Sequence, residues 1–234
     1  MTVRIIQISL TRSLVDMRTV PTDLTTWQWA FEHPSYSPVA NPSSTEQGAY
    51  IDALDPSSRL SFPQVKQLAT SLSNVMVRSY GLQPGETVSL FATNSIWYPV
   101  AMWAALRVGA RVNGASPAYG VDEMVHAIKT AGSRIIFTLP SCLDVAVQAA
   151  EAVGLERDRI VLLEGEVAGT SCLEDMISDG GKMDEVLAWS IPAGKTNRDI
   201  CGYDSTLSSV STRSRLTSIT VRHTRSHANA HIMY

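Results

Sequence analysis

Three histidines near the end of the chain have a spacing that could hold a metal ion. His223, His227 and His231 stand four residues apart, and on a helix this spacing would align three imidazoles along one face. No helix cap, apolar stripe or carboxylate supports a helix there. The surrounding Ser, Thr and Arg residues favour a disordered basic tail over a metal site, so we predict no metal ligands.

A second group of residues resembles part of a phosphate-binding loop. Gly194, Lys195 and Thr196 have the types found at the end of such a loop. The Gly required five positions before Gly194 is Trp189, and without that Gly the loop cannot wrap around a phosphate. We therefore expect no nucleotide phosphate at this segment.

Residues 114–118 follow a predicted strand and resemble a nucleophile elbow centred on Ser116. Pro117 would remove the backbone N–H that such an elbow contributes to an oxyanion hole, so a sharp strand-to-helix turn is the preferred interpretation. His33 and His126 have no Ser, Cys or carboxylate placed for a proton relay. The sequence thus identifies no catalytic, cofactor-binding or metal-binding residue.

The stretch 82–124 contains the signals of a complete βαβ unit. An apolar run at 88–92 has the length of a strand, and Asn94 or Ser95 is expected to cap the helix that follows. Gly109 ends that helix and Arg111–Ala115 forms the second strand. Two strands joined by a helix of this length predict a parallel pair with a right-handed connection.

Further elements alternate along the chain in the same way. Ser171 is expected to cap a short helix over 172–177. The other predicted elements are a hairpin over 49–62, helices ending at 81, 131 and 153, and strands at 134–138 and 159–163. Together they predict an α/β fold with a mostly parallel sheet and helices on both faces.

Composition excludes several classes of protein. The chain has 234 residues, of which 44% are hydrophobic and 18% charged, so it can bury a full core. A net charge of −3 gives no attraction for nucleic acid. No apolar run reaches the length of a membrane span, and three distant cysteines favour a reducing intracellular compartment.

The N-terminal residues form a poor secretory signal, because they lack a continuous apolar core. Arg4, Arg12 and Arg18 with one acid, Asp16, weakly resemble a transit peptide. An irregular arm over 1–26, or an upstream extension of the reading frame, is the preferred interpretation.

Several blocks, in this order, resemble the N-terminal part of the adenylate-forming enzymes. The branch they are most similar to is the 4-coumarate-CoA ligase-like acyl-CoA synthetases of fungi, whose entry segment also resembles Trp27 to Glu32. The resemblance covers 27–203, which we interpret as a partial AMP-binding domain. The blocks are 59–62 (RLSF), 81–88 (GLQPGETV), 94–95 (NS), 106–110 (LRVGA) and 116–124 (SPAYGVDEM).

This resemblance implies an acyl-CoA ligase. Members of the family activate a small carboxylic acid with ATP and Mg²⁺ to an acyl-adenylate and transfer the acyl group to CoA; some act in fungal secondary metabolism. Their phosphate-binding loop, which ends in Pro-Lys-Gly, is expected directly after Ile200 to Tyr203. The residues found there, 204–210, contain neither Gly nor Lys.

We therefore expect a truncated member with impaired catalysis, whose low-complexity tail over 204–234 arises from a frameshift or a misread splice junction. The alternative is a non-catalytic remnant or interaction module that keeps only the α/β subdomain. The chain ends in His231-Ile232-Met233-Tyr234 and not in the Ser-Lys-Leu-like peroxisomal signal of many fungal relatives. A cytoplasmic location is expected for the chain as it stands.

Overall fold

A computed structural model describes residues 21–35, 37, 39 and 48–197. The expectations for the first twenty residues, for the three tail histidines and for the segment from Asp204 lie outside these residues. In the described part no helix is long and apolar enough to cross a membrane.

The described residues form strands and helices that alternate along the chain, preceded by one π-helical turn at Gln28–Glu32. The strands are β1 (Gly48–Ile51), β2 (Arg59–Ser61), β3 (Thr87–Phe91), β4 (Arg111–Ala115), β5 (Ser133–Thr138), β6 (Ile160–Leu162) and β7 (Ser171–Cys172). The helices are α1 (Phe62–Arg78), α2 (Tyr98–Arg107), α3 (Val121–Ala131), α4 (Leu143–Val153) and α5 (Leu173–Gly180).

Strands β3 to β7 form one parallel sheet in the order β4-β3-β5-β6-β7. The chain passes from β3 to β4 on one side and then crosses back to β5 on the other side of β3. All five carboxyl ends therefore lie at the same edge of the sheet. In open α/β sheets this edge is where ligands bind.

Helices cover both faces of the sheet, as predicted. Val88, Leu90 and Val112 belong to a core that also contains α1, α2 and α5. Phe91 and Ile136 belong to a second core with α3 and α4. The α/β fold class is therefore confirmed, with a three-layer arrangement.

Local sequence signals explain where the helices begin and end. Ser61 caps α1: its backbone N–H donates to the Gln64 side chain at 2.8 Å, and its hydroxyl accepts from the Gln64 N–H at 3.4 Å. Gly109, Gly132 and Gly154 follow α2, α3 and α4 with positive φ angles of 76°, 64° and 71°, a conformation that glycine adopts without a steric penalty.

Two boundaries differ from the expectations. Ser171 does not cap a helix; it lies in β7, and α5 begins at Leu173 without a side-chain cap. The helix after β3 begins at Tyr98 and not directly after Asn94 or Ser95, because Ser95 forms a turn first. The second difference arises because a short polar residue can satisfy a backbone N–H in a turn as well as at a helix end.

The antiparallel hairpin β1–β2 lies outside the main sheet. The Trp103 side chain of α2 donates its indole N–H to the Tyr50 hydroxyl at 3.0 Å. This bond holds the hairpin against α2 and brings its turn to the carboxyl edge of the sheet.

Candidate functional site

A cleft of about 820 Å³ opens at the carboxyl ends of β3 and β4. Its volume lies within the range of small-molecule sites, which is about 300–1,000 Å³. Three segments form its walls: the loop after β3, the loop after β4 and the turn of the β1–β2 hairpin. The lining residues are Tyr50, Ile51, Asp52, Ala53, Leu54, Ala92, Thr93, Asn94, Ser95, Ile96, Tyr98, Pro99, Gly114, Ala115, Ser116, Pro117 and Tyr119.

Ser95 holds the loop after β3 in place. Its hydroxyl oxygen accepts from the Trp97 N–H at 3.0 Å, and its carbonyl accepts from the Tyr98 N–H at 3.3 Å. The same hydroxyl donates to the carboxylate of Glu164, which follows β6. This wall of the cleft is therefore tied to a loop two strands away in the sheet.

Ser116 plays a similar part in the loop after β4. Its hydroxyl oxygen accepts from the Ala118 N–H at 3.3 Å, and its carbonyl accepts from the Tyr119 N–H at 3.0 Å. These bonds make the strand-to-helix turn that the sequence predicted at 114–118. The Ser116 hydroxyl thus serves the turn.

The floor of the cleft depends on Gly114. A Cβ atom at this position would lie 3.3 Å from the Tyr98 hydroxyl. That distance is shorter than an ordinary contact, so a side chain here would require the Tyr98 hydroxyl to shift by a few tenths of an ångström. The sequence marked Gly114 only as part of the elbow-like segment, because contact with Tyr98 depends on how α2 packs against β4.

The hairpin wall places two apolar side chains in solvent. Leu54 is 98% exposed and Ile51 is 51% exposed. Asp52, between them, accepts from the Leu54 N–H at 2.7 Å and the Asp55 N–H at 3.1 Å. Its carboxylate therefore stabilises the turn.

No metal site accompanies the cleft: within 21–35, 37, 39 and 48–197, no group of three or more His, Cys, Asp or Glu side chains is close enough to hold an ion. His33 accepts from the Ser35 N–H at 3.2 Å, and His126 contacts Thr130 at 3.4 Å. Both histidines thus make local contacts.

A second polar cluster lies on the opposite side of α2, around the buried Arg107. Its guanidinium donates to Ser73 at 2.9 Å and to Glu185 at 2.5 Å, and its centre lies 5.7 Å from the Trp27 ring centroid. Burial lowers the pKa of Arg107, and the nearby carboxylates of Glu185 and Glu32 oppose that effect. The sequence did not indicate this cluster, because an arginine in the last turn of a helix is usually exposed.

Residues 181–197 run along this side of the molecule as an extended segment. The Trp189 N–H donates to the Arg107 carbonyl at 2.8 Å, and the Trp189 ring occupies the space that a Cβ at Gly109 would need, 2.7 Å away. Gly194 and Lys195 then form a turn closed by a Lys195 N–H bond to the Pro192 carbonyl at 3.0 Å. A phosphate-binding loop follows a strand and precedes a helix. Residues 181–197 contain no strand or helix beside this turn.

Comparison with known proteins identifies the family of this chain. Residues 40–207 match the family model described as AMP-binding enzyme. An acyl-CoA ligase of Aspergillus niger, azaF, is 28% identical over 148 residues, which are 62% of this chain and 26% of that protein. The phenylacetyl-CoA ligase epaB of Aspergillus niger is 29% identical over 132 residues, 56% of this chain and 23% of that protein. The chain spans about a quarter of the length of these curated relatives.

Solved structures show the same fold. The anthranilate CoA ligase AuaEII, crystallised with anthranoyl-AMP, superposes with a TM-score of 0.59 and 19% identity, over 80% of this chain and 32% of that one. A benzoate CoA ligase from Burkholderia xenovorans LB400 superposes with a TM-score of 0.53 and 18% identity, over 71% of this chain and 30% of that one. At such low identity the two superpositions establish the fold alone.

Proposed function

Because the chain belongs to the AMP-binding enzyme family, we propose that it is part of an ATP-dependent acid–CoA ligase. In the proposed reaction, a carboxylate oxygen attacks the α-phosphorus of ATP and pyrophosphate leaves. The sulfur of CoA then attacks the acyl carbon and AMP leaves. The first step places AMP, a good leaving group, on the acyl carbon, and the second step expels it. The observation that carries this proposal is the match over residues 40–207, which is more than half of the chain.

We propose a small aromatic acid as the substrate class. Sequence relatives of this chain include ligases named for phenylacetate and nicotinic acid. The proposed setting is fungal secondary metabolism, which the similarity to fungal acyl-CoA ligases supports.

The residues that line the cleft do not fit the phosphates of ATP or a Mg²⁺ ion. No Lys, Arg or His is among the described residues that line the cleft, and Asp52 is the one carboxylate there. A triphosphate needs cationic or N–H donors, and Mg²⁺ needs carboxylate or phosphate oxygens. We therefore assign no phosphate or metal contact to these residues and give them the role of scaffold and cleft wall.

The same observation favours a second candidate, a non-catalytic module that retains the fold. ATP–pyrophosphate exchange by the purified chain separates the two candidates. The assay uses phenylacetate, nicotinate, anthranilate and benzoate in turn, with a no-acid control, and circular dichroism establishes that the chain is folded. Acid-dependent exchange supports the ligase, and no exchange by folded protein supports the non-catalytic module.

The frameshift hypothesis has a separate test. The segment from Asp204 lies outside the described residues, so this hypothesis stays a prediction. The transcript is sequenced from the codon of Ile200 onward and translated in three frames. A second frame that opens with a Ser/Thr/Gly-rich loop ending in Pro-Lys-Gly would support the hypothesis, and its absence from all frames would contradict it.

A further inference from the structure

We propose that the cleft at the carboxyl ends of β3 and β4 binds an uncharged aromatic or aliphatic group of a small organic ligand, and that it excludes anionic groups. This inference deepens the proposed function. The charge preference of the cleft does not depend on that function, but the identification of the bound group as the uncharged part of the acid substrate rests on it. The evidence is the charge, hydrogen bonding and shape of the cleft.

The charges of the lining argue against an anion. Asp52 is the single formally charged side chain among the described lining residues, and its carboxylate is negative. Glu164, bonded to Ser95, adds a second carboxylate at the rim. A phosphate or carboxylate in this cleft would meet like charges without a compensating cation.

The start of helix α2, which could bind an anion through free N–H groups, is already occupied. The N–H groups of Trp97 and Tyr98 both donate to Ser95. Pro99, at the second helical position, has no N–H to donate. These three positions therefore offer no free backbone N–H to an incoming anion.

The start of helix α3, on the other wall, is closed in a different way. The Gly120 N–H donates to the Glu123 carboxylate at 2.9 Å, and Asp122 adds another acid to the first turn. A carboxylate supplied by the chain already interacts with the positive end of this helix dipole. An anionic ligand would have to displace it.

The remaining surface suits an uncharged group. Tyr98 and Tyr119 are half-buried and line the cleft with ring surface, while Ile51 and Leu54 supply exposed apolar surface on the hairpin side. Ring stacking and burial of apolar area favour aromatic or aliphatic ligands. Gly114 lies at the floor of the cleft, where an added Cβ would lie 3.3 Å from the Tyr98 hydroxyl.

A matched pair of probes tests the charge preference. Phenylacetamide is the uncharged probe and phenyl phosphate the anionic one, and their dissociation constants for the full chain are measured by isothermal titration and ligand-observed NMR. We expect phenylacetamide to bind at least about 10-fold more tightly than phenyl phosphate. Both probes offer the same phenyl ring, but the phosphate places an unpaired negative charge in a cleft without a cation. Equal or tighter binding of phenyl phosphate, or no binding of phenylacetamide by folded chain, overturns the proposal.

A pair of glycine variants tests the location. Gly114→Val places a β-branched side chain in the strand at the cleft floor, and we expect it to weaken phenylacetamide binding by about 10-fold or more. Gly120→Ala is the control, because its Cβ would meet nothing nearer than 3.9 Å, and its dissociation constant should be unchanged. If Gly114→Val does not fold, Gly114→Ala is used in its place. We expect it to weaken phenylacetamide binding by about 2–5-fold. Equal effects at positions 114 and 120 contradict the assignment.

These experiments separate this inference from the proposed function. Pyrophosphate exchange tests adenylation, whereas the probe titrations need neither ATP nor CoA. If the chain binds phenylacetamide but catalyses no pyrophosphate exchange, the cleft assignment stands and catalysis by this chain is rejected. Exchange without phenylacetamide binding retains the ligase and rejects the cleft assignment.

Discussion

Polar side chains serve different purposes in the cleft and in the cluster around Arg107. In the cleft, Ser116 and Asp52 bond to backbone groups two or three residues away. Around Arg107, buried polar groups join segments far apart in the chain: Arg107 and Ser73 are separated by 34 residues, and Asn74 and Val186 by 112. The comparison indicates that buried long-range polar contacts hold the helical layer together, whereas the cleft combines local bonds with the solvent-exposed contact between Ser95 and Glu164.

Arg107→Ala should have the largest effect. Removing this 3%-exposed side chain leaves Ser73 without its donor and removes the cation above Trp27. We expect a loss of about 2–4 kcal/mol in the free energy of unfolding, measured by urea denaturation. Glu185→Gln is the control, and it should cost about 1 kcal/mol or less because the Glu185 side chain is 66% exposed. Equal losses for the two variants would show that the cluster acts only through this ion pair.

Gly180→Ala tests the packing of α5 on α1, which lies on the same side as Arg107. An added Cβ would lie 1.9 Å from the Ser71 carbonyl oxygen, so α5 must move away from α1. We expect the free energy of unfolding to fall by about 1–3 kcal/mol. Gly181→Ala is a matched control, because its nearest contact is an ordinary 3.5 Å. A small effect at Gly180 in thermal denaturation would mean that the two helices separate at little cost.

Ser95→Ala measures the polar contacts that hold the loop after β3, for comparison with the cluster around Arg107. The variant removes the acceptor of the Trp97 N–H and the donor to Glu164. Because the Ser95–Glu164 contact is exposed to solvent, water can replace the lost hydrogen bond to Glu164. We expect the free energy of unfolding, measured by urea denaturation, to fall by about 0.5–1.5 kcal/mol. A loss as large as that of Arg107→Ala would contradict the difference drawn between the two regions.

Leu54→Ser should have the smallest effect on stability. The side chain is 98% exposed, so its removal should change the free energy of unfolding by no more than about 0.5 kcal/mol. The same variant should weaken phenylacetamide binding, since it removes apolar surface from the cleft. Thermal denaturation and titration of one protein sample measure both quantities. A large loss of stability would contradict the exposed position of Leu54.

Much of the fold could be predicted because its signals are local. The helix Val121–Ala131 was predicted with its observed bounds, since apolar spacing and the terminal Gly132 are both short-range features. Strand β7 was not predicted: Ser171–Cys172 is too short for an alternating pattern. It becomes a strand because β6 lies beside it.

The candidate site was less predictable than the fold. The sharp turn at residues 114–118 was predicted from the sequence, but its place in the wall of a cleft was not. The hairpin wall could not be inferred, because it depends on a bond between Tyr50 and Trp103, which are 53 residues apart. Trp189 was noted only as a missing glycine, whereas the structure packs its ring over Gly109.

By itself, the sequence determined the alternation of strands and helices, most of their ends and the family resemblance. These properties depend on residues within a few positions of one another, where backbone hydrogen bonds and side-chain periodicity act. Only the tertiary structure decided the strand order, the burial of Arg107 and the position of the cleft. Those features come from packing between segments distant in the chain, which local patterns do not encode.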